Sequence, residues 1–153
     1  MISAKEGQDF LETIPIFAGL NSSALAVIAD AVEQAEFRTG DTIVEEAETG
    51  NRMFIIYAGR VEVVKHLGEA RETVLAVLKP KEFFGEMCII ECLTRCASVR
   101  ATEDTFVFAL KSTDLHRLFE QQPDQYAIMI LNIARDISRR LRALDELFTA
   151  VSH

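Results

Sequence analysis

The sequence predicts a mainly β domain, an antiparallel barrel or sandwich of short strands with helices at both ends. Three observations predict it. Between Glu36 and Leu110, β-branched and aromatic runs alternate with turn signals at close, even spacing, which favours antiparallel hairpins. Ahead of that region, and behind it, apolar residues recur at helical rather than alternating spacing. The chain has 153 residues, 49% hydrophobic and 26% charged, enough for one globular domain with a core of its own.

The elements follow in order. Phe10 to Ile14 reads as a short amphipathic helix that must break before Pro15, because a residue preceding proline is pushed out of the helical region. Phe17-Ala18-Gly19-Leu20 is a compact turn. Asn21-Ser22-Ser23 offers helix caps, and Leu25, Ile28, Ala29 and Val32 follow on one helical face. Strand signals begin at Glu36. Gly40-Asp41, Thr49-Gly50-Asn51, Ala58-Gly59-Arg60 and His66-Leu67-Gly68-Glu69 are turns between strands at 42–44, 53–57, 61–64 and 73–78, and two more strands follow at 97–101 and 105–110. Ser112-Thr113-Asp114 can cap a short helix through Glu120. Pro123 suits the first turn of a longer one, helical to about Ala150, some 28 residues or roughly 42 Å. Along it Ile130, Ala134, Ile137, Leu141, Leu144 and Phe148 are spaced 4, 3, 4, 3, 4, the seam of a coiled coil, which predicts a homodimer through this helix.

The net charge of −8 argues against a general nucleic-acid binder but permits one local cationic pocket. The N-terminus has no apolar signal core and no run approaches a membrane span, so the expected setting is the cytoplasm, without membrane attachment. Three cysteines between positions 88 and 96 are no disulfide scaffold. His66, His116 and His153 lack metal-ligand spacing, and no nucleophile–base arrangement is evident. No enzyme activity, metal or cofactor is expected.

One stretch states a chemistry. Phe84 to Val99 reads Phe-Gly-Glu-Met-Cys-Ile-Ile-Glu-Cys-Leu-Thr-Arg-Cys-Ala-Ser-Val. Gly85 lets a ligand approach the main chain. Glu86 to Glu91 can form one helical turn whose first N–H groups are free to bind phosphate. Arg95 is the natural charge partner of such a phosphate, because its planar fork pairs with two oxygens at once. A carboxylate does not belong beside a phosphate, so Glu86 faces a hydroxyl donor instead. The stretch reads as a pocket for a small anionic ribose ligand.

These residues resemble the phosphate-binding cassette of cyclic-nucleotide-binding domains, the family of the Crp/Fnr (catabolite activator) regulators and of cAMP-dependent kinase regulatory subunits. The helical lead-in IPIFAGLNSSALAVIADAV and the hairpins GDTIV and TGNRMFIIYAGRVEV resemble the same family. The resemblance implies a jelly-roll-like β-barrel of about eight strands in a single domain spanning 1–153. Its parts are a helical lead-in at about 1–35, the barrel with its cassette (84–99) at 36–111, and a short helix plus a long dimerisation helix at 112–153. It implies that Glu86 binds the ribose 2′-hydroxyl and Arg95 the cyclic phosphate, with Gly85, Met87, Cys88, Cys96 and Ala97 supplying the neighbouring contacts. Arg139-Arg140-Leu141 matches an Arg-Arg-Leu step that lies near the ligand in bacterial relatives, which adds Arg140. The other arginines of the long helix, interleaved with Asp136, Asp145 and Glu146, read as a solvated face.

The chain also departs from the family. Ala47 and Lys81 stand where glycines are frequent, Thr94 where a proline commonly precedes the cassette arginine, and Cys96 where the family has Ser or Thr. Where catabolite activators place Thr-Ser against adenine, this chain has Leu144-Asp145, so Leu144 or Phe148 is expected to cover the base by apolar contact. Cys96 is a poor donor, which tilts the expected ligand toward cAMP over cGMP. Cys88, Cys92 and Cys96 form C-x3-C-x3-C, one thiolate short of the usual iron–sulfur set. The expected function is a cyclic mononucleotide sensor that moves its C-terminal helix and acts on a downstream protein without contacting DNA itself, as the sensory half of a Crp/Fnr-type regulator. Two alternatives stay open: a degenerate domain serving as a dimerisation scaffold, and a cysteine redox sensor that needs no nucleotide.

Overall fold

The structure, a computed structural model, describes residues 2–86 and 94–152, with side chains through residue 150. Helix α1 (Ala4–Glu12) is capped by Ser3, whose hydroxyl accepts from Glu6 N, and a 3-10 turn follows at Pro15–Phe17. Helix α2 (Ser22–Ala31) is capped by Asn21, whose side-chain oxygen accepts from Ala24 N at 2.8 Å. Eight strands follow: β1 (Glu33–Phe37), β2 (Thr42–Val44), β3 (Arg52–Ala58), β4 (Val61–Lys65), β5 (Thr73–Leu78), β6 (Phe83–Phe84), β7 (Ser98–Ala101) and β8 (Thr105–Lys111). Helices α3 (Ser112–Gln121) and α4 (Pro123–Ser152) end the chain. No helix among the described residues is long and apolar enough to cross a membrane.

The strands form two antiparallel four-stranded sheets, ordered β1-β8-β3-β6 and β2-β7-β4-β5, the jelly-roll arrangement expected from the sequence. β3, β6 and β8 of the first sheet are buried on both faces, and the alternation of side chains along a strand sorts them between two cores. Met53 and Ile55 of β3, Phe83 of β6, and Phe108 and Leu110 of β8 face the helices, with Leu11, Phe17, Ile28, Leu115, Leu118, Met129 and Ile133. Their chain neighbours Phe54, Ile56, Phe84, Val107 and Ala109 face the second sheet, with Val44, Val61, Leu78 and Val99. This double burial is why Met53-Phe54-Ile55-Ile56 reads as an unbroken apolar run.

Three local expectations need correction. The strand region opens at Glu33 rather than Glu36, because β1 pairs with β8 from Glu33↔Ala109 onward, and Glu33-Gln34 carries no strand signal of its own. Helix α1 starts at Ala4, ahead of Phe10. Ser112 is the first residue of α3 rather than its cap, and the cap position, Lys111, makes no side-chain capping bond.

Helix α4 spans 30 residues, about 45 Å, and its two halves do different things. Its first half is pinned to the N-terminal helices. Met129 and Ile133 enter the core, Gln125 Oε1 accepts from Asn21 N at 2.8 Å, and Asn132 Nδ2 donates to Ile16 O at 3.0 Å and Ala18 O at 2.8 Å. Of the seam residues, Ile130 and Ile137 pack partly against this same core, whereas Ala134, Leu141, Leu144 and Phe148 are exposed. The second half runs past the end of β6, and that placement forms the site.

Candidate functional site: a cavity between the second sheet and the C-terminal helix

Arg95 is the most heavily braced side chain of the site. Its backbone is clamped to the 45–51 loop: Ala47 N donates to Arg95 O at 2.8 Å, and Arg95 N donates to Glu48 O at 2.8 Å. A bridge between Thr49 and Thr94 continues that pairing, and Glu46 N donates to Ser98 Oγ at 2.9 Å. The guanidinium is aimed by two carbonyls, with Nη1 donating to Gly85 O at 3.2 Å and Nη2 to Arg52 O at 2.9 Å. It lies 5.9 Å from the centroid of the Phe54 ring. Two glycines make room for it. A Cβ on Gly85 would come within 2.6 Å of Arg95 Nη1, and a Cβ on Gly50 would overlap the guanidinium itself. The space at Gly85, expected to admit a ligand, is thus taken by Arg95; its φ of +83° also puts it in the region that favours glycine.

Arg95 lines a cavity of about 450 Å³. Gly85, Glu86, Thr94, Cys96 and Ala97 line it too, so Glu86 and Arg95 share one hollow. Its sides are apolar: Val44, Val63, Phe84 and Val99 from the strands, and Leu75 to Leu78 of β5. From α4 come Arg140, Ala143, Leu144 and Leu147. The mouth is open, for Leu75 is 53% and Leu147 63% exposed. The hollow therefore has a polar end with a cation and a carboxyl, and an apolar end with an unfilled rim. That division suits an amphipathic ligand carrying an anion at one end and a flat apolar body at the other.

The electrostatics of the polar end are uneven. Burial raises the Glu86 carboxyl above the ordinary carboxylate value; its own backbone N–H and then Arg140 oppose the rise, Asp136 adds to it, and Arg95 opposes it. Arg140 holds an ion pair with Asp136 (Nε to Oδ2, 2.8 Å), donates from Nη2 to Phe83 O at 3.1 Å, and lies 4.6 Å from the Phe83 ring centroid. On the other side Lys65 Nζ donates to Cys96 O at 2.7 Å and pairs with Glu46 at 3.3 Å.

Of the site residues expected from the sequence, Gly85, Glu86, Arg95, Cys96, Ala97, Arg140 and Leu144 all border the cavity, whereas Met87 and Cys88 lie outside the described residues. The helical turn 86–91 and the Cys88–Cys92 part of the cysteine motif fall outside them as well. Of the two candidate covers, Leu144 borders the cavity and Phe148 does not; Leu147, unnamed in the sequence reading, takes that place. Asp136 is only partly on a solvated face: its side chain is 28% exposed and its Oδ2 is buried behind Arg140. Gly50 and the β5 wall were also missed. Gly50 carried only a turn signal, and β5 looked like any core strand. No grouping of three His, Cys, Asp or Glu side chains among the described residues could hold a metal ion.

Comparison with known proteins places the chain in a family. Residues 34–122 match the cyclic nucleotide-binding domain family, and the chain belongs to that family. It is 31% identical over 132 residues to the cyclic AMP receptor protein of Thermus thermophilus, covering 86% of this chain and 59% of that one. It is 26% identical over 144 residues to a CRP-like cAMP-activated global transcriptional regulator of Mycobacterium tuberculosis, covering 94% and 64%. The crystal structure of the Thermus thermophilus catabolite activator protein superposes with a TM-score of 0.74 at 30% identity, covering 90% of this chain and 63% of that one. The chain thus spans about three fifths of the bacterial regulators it matches.

Proposed function

We propose that this domain is a sensor for a cyclic mononucleotide, cAMP in preference to cGMP, and that it reports occupancy through α4. The observation that carries the reading is the meeting of Glu86, Arg95 and the α4 side chains Arg140, Leu144 and Leu147 around one cavity. Arg95 takes the cyclic phosphate as a two-pronged cation already aimed by the Gly85 and Arg52 carbonyls. Glu86, when ionised, accepts from the ribose 2′-hydroxyl. The base lies between β5 and α4 and is held by apolar contact. No Thr-Ser pair faces it and the Cys96 thiol is a weak donor, so guanine gains nothing over adenine here. Two relatives are named for cAMP, which favours the same choice.

A ligand in this position touches the barrel with its phosphate and α4 with its base. It shifts α4 only by its differential affinity for the two helix positions, and filling the open rim is the source of that difference. The exposed residues Leu141, Leu144 and Phe148 give α4 an apolar strip for a second copy of the chain, and a downstream protein reads the resulting helix position.

The test is calorimetry and thermal shift with cAMP, cGMP, AMP and cyclic dinucleotides. Cyclic mononucleotides should bind and stabilise, cAMP most, and AMP should not. In Arg95→Ala, cAMP affinity should fall by about 2–5 kcal/mol, thirtyfold or more, the scale of leaving a buried charge unpaired. Unchanged affinity in that variant, or no response to any cyclic mononucleotide, would refute the function.

A further inference from the structure

Asp136 stands out among the charged groups around the cavity. Its Oδ2 is buried and, among the described residues, accepts no hydrogen bond. Its one close contact is the charge contact with Arg140 Nε at 2.8 Å, one helical turn away. The pair is half-sheltered, with 28% of the Asp136 side chain exposed, and it sets which way the Arg140 guanidinium turns. Arg140 is meanwhile committed to Phe83, through the Nη2 bond to its carbonyl and the ring beneath the guanidinium. Phe83 is three residues from Glu86 in the same segment. Arg140 and Glu86 border the same cavity, yet no ion pair joins them among the described residues. Two carboxylates therefore compete for one helix cation, and the one outside the cavity holds it.

We propose that Asp136 is a positioning residue of this cavity: it withholds Arg140 from Glu86, fixing the guanidinium over Phe83 and leaving the Glu86 carboxylate unpaired for a hydroxyl of the bound ligand. The Arg140–Phe83 contact clips α4 to the end of β6, the strand that leads into Gly85 and Glu86. The charged groups around Glu86 are Arg140 and Asp136 from α4, Arg95 from across the cavity, and Glu82 from its wall. Removing Asp136's charge deletes a repulsion and releases Arg140 toward Glu86, and both effects favour the ionised Glu86. Removing Arg140's charge does the opposite. The ligand part of this inference rests on the function proposed above; the positions of Arg140 and Glu86 do not.

The experiment follows the Glu86 carboxyl by carbon NMR in a pH titration of the ligand-free protein, with the Arg140 Nε–H signal read alongside. In D136N the Glu86 midpoint should fall and the Nε–H signal should shift. In R140Q the midpoint should rise. D136E, which keeps the charge at the same turn, should stay near the wild type. Loosened packing would move D136N and R140Q in the same direction, so shifts of one sign, or no shift in D136N, overturn the proposal. Should D136N not fold, R140Q decides, and a midpoint that fails to rise overturns it. With cAMP, wild-type affinity should fall as pH drops through the Glu86 midpoint, about tenfold per pH unit below it, and in D136N the fall should begin at lower pH. A protein that binds no nucleotide but shows the opposed shifts would refute the function and keep the positioning role. Binding with unmoved midpoints would do the reverse.

Discussion

Glu86 carries a conflict at the scale of one residue. Burial makes its charged form costly in the fold, so its carboxyl titrates above the ordinary value of 4.5. The sign follows from linkage. A carboxyl raised on folding binds its proton more tightly in the native state, so ionising it costs stability. The cost is absent below the ordinary value, grows as pH rises from there, and is fully present above the raised one. Glu86→Gln should therefore raise the melting temperature of the ligand-free protein at pH 7, with the gain vanishing at about pH 4, the ordinary Glu range. The same variant should lose discrimination between cAMP and 2′-deoxy-cAMP. A melting temperature lowered at pH 7, or discrimination retained, would count against the assignment. Such a cost to the fold fits the ligand role proposed for Glu86. Arg95 and Glu86 were legible in the sequence because their chemistry is local: an acid after a glycine and a cation nine positions on. Asp136 was not legible, because an acid among helical arginines reads as solvated until its burial is known.

Two loops show what the site costs at the scale of elements. Ala47 has φ +71° and Lys81 φ +77°, in the left-handed region where a Cβ is strained. Both are positions where the resemblance noted in the sequence led to an expectation of glycine. Each is held by a backbone bond, Ala47 N to Arg95 O at 2.8 Å and Lys81 N to Ile56 O at 2.9 Å, so each loop keeps its shape despite the strain. Ala47→Gly and Lys81→Gly should each stabilise the protein by up to about 1 kcal/mol, the left-handed strain relieved less the backbone entropy glycine adds. Chemical denaturation measures this directly, and a loss of stability in both would show the strain to be absent. The Ala47 loop also sets the Arg95 backbone, so its substitution should change nucleotide affinity, whereas Lys81→Gly should change it less. The departures from the family pattern noted in the sequence thus act on loop conformation while the strand framework stands unchanged.

At the scale of the whole molecule, α4 joins two cores to one cavity. Its first half is locked by Gln125, Met129, Asn132 and Ile133, and its second half leaves Leu141 and Phe148 exposed, the latter to 75%. An apolar strip of this kind on a long helix suits the self-association proposed above. L141D combined with F148D should shift the protein toward monomer in analytical ultracentrifugation, and it should leave the barrel's stability at a fixed low concentration nearly unchanged. An unaltered sedimentation coefficient would remove α4 from any dimer.

The amino-acid sequence by itself determined the mainly β class with helices at both ends, most of the strand positions, and Glu86 and Arg95 as neighbours in one candidate site. These follow from periodicity, turn chemistry and a compact motif, all of which act over short stretches of chain. Tertiary structure alone decided that β5 and the second half of α4 wall the cavity, that Gly50 makes room for Arg95, and that Arg140 answers to Asp136. The first two join segments tens of residues apart, where the distance between side chains depends on how sheets and helices stack and leaves no trace in local spacing. The third pair is only one helical turn apart, but its shelter and the seat of Arg140 on Phe83 depend on how α4 lies against β6.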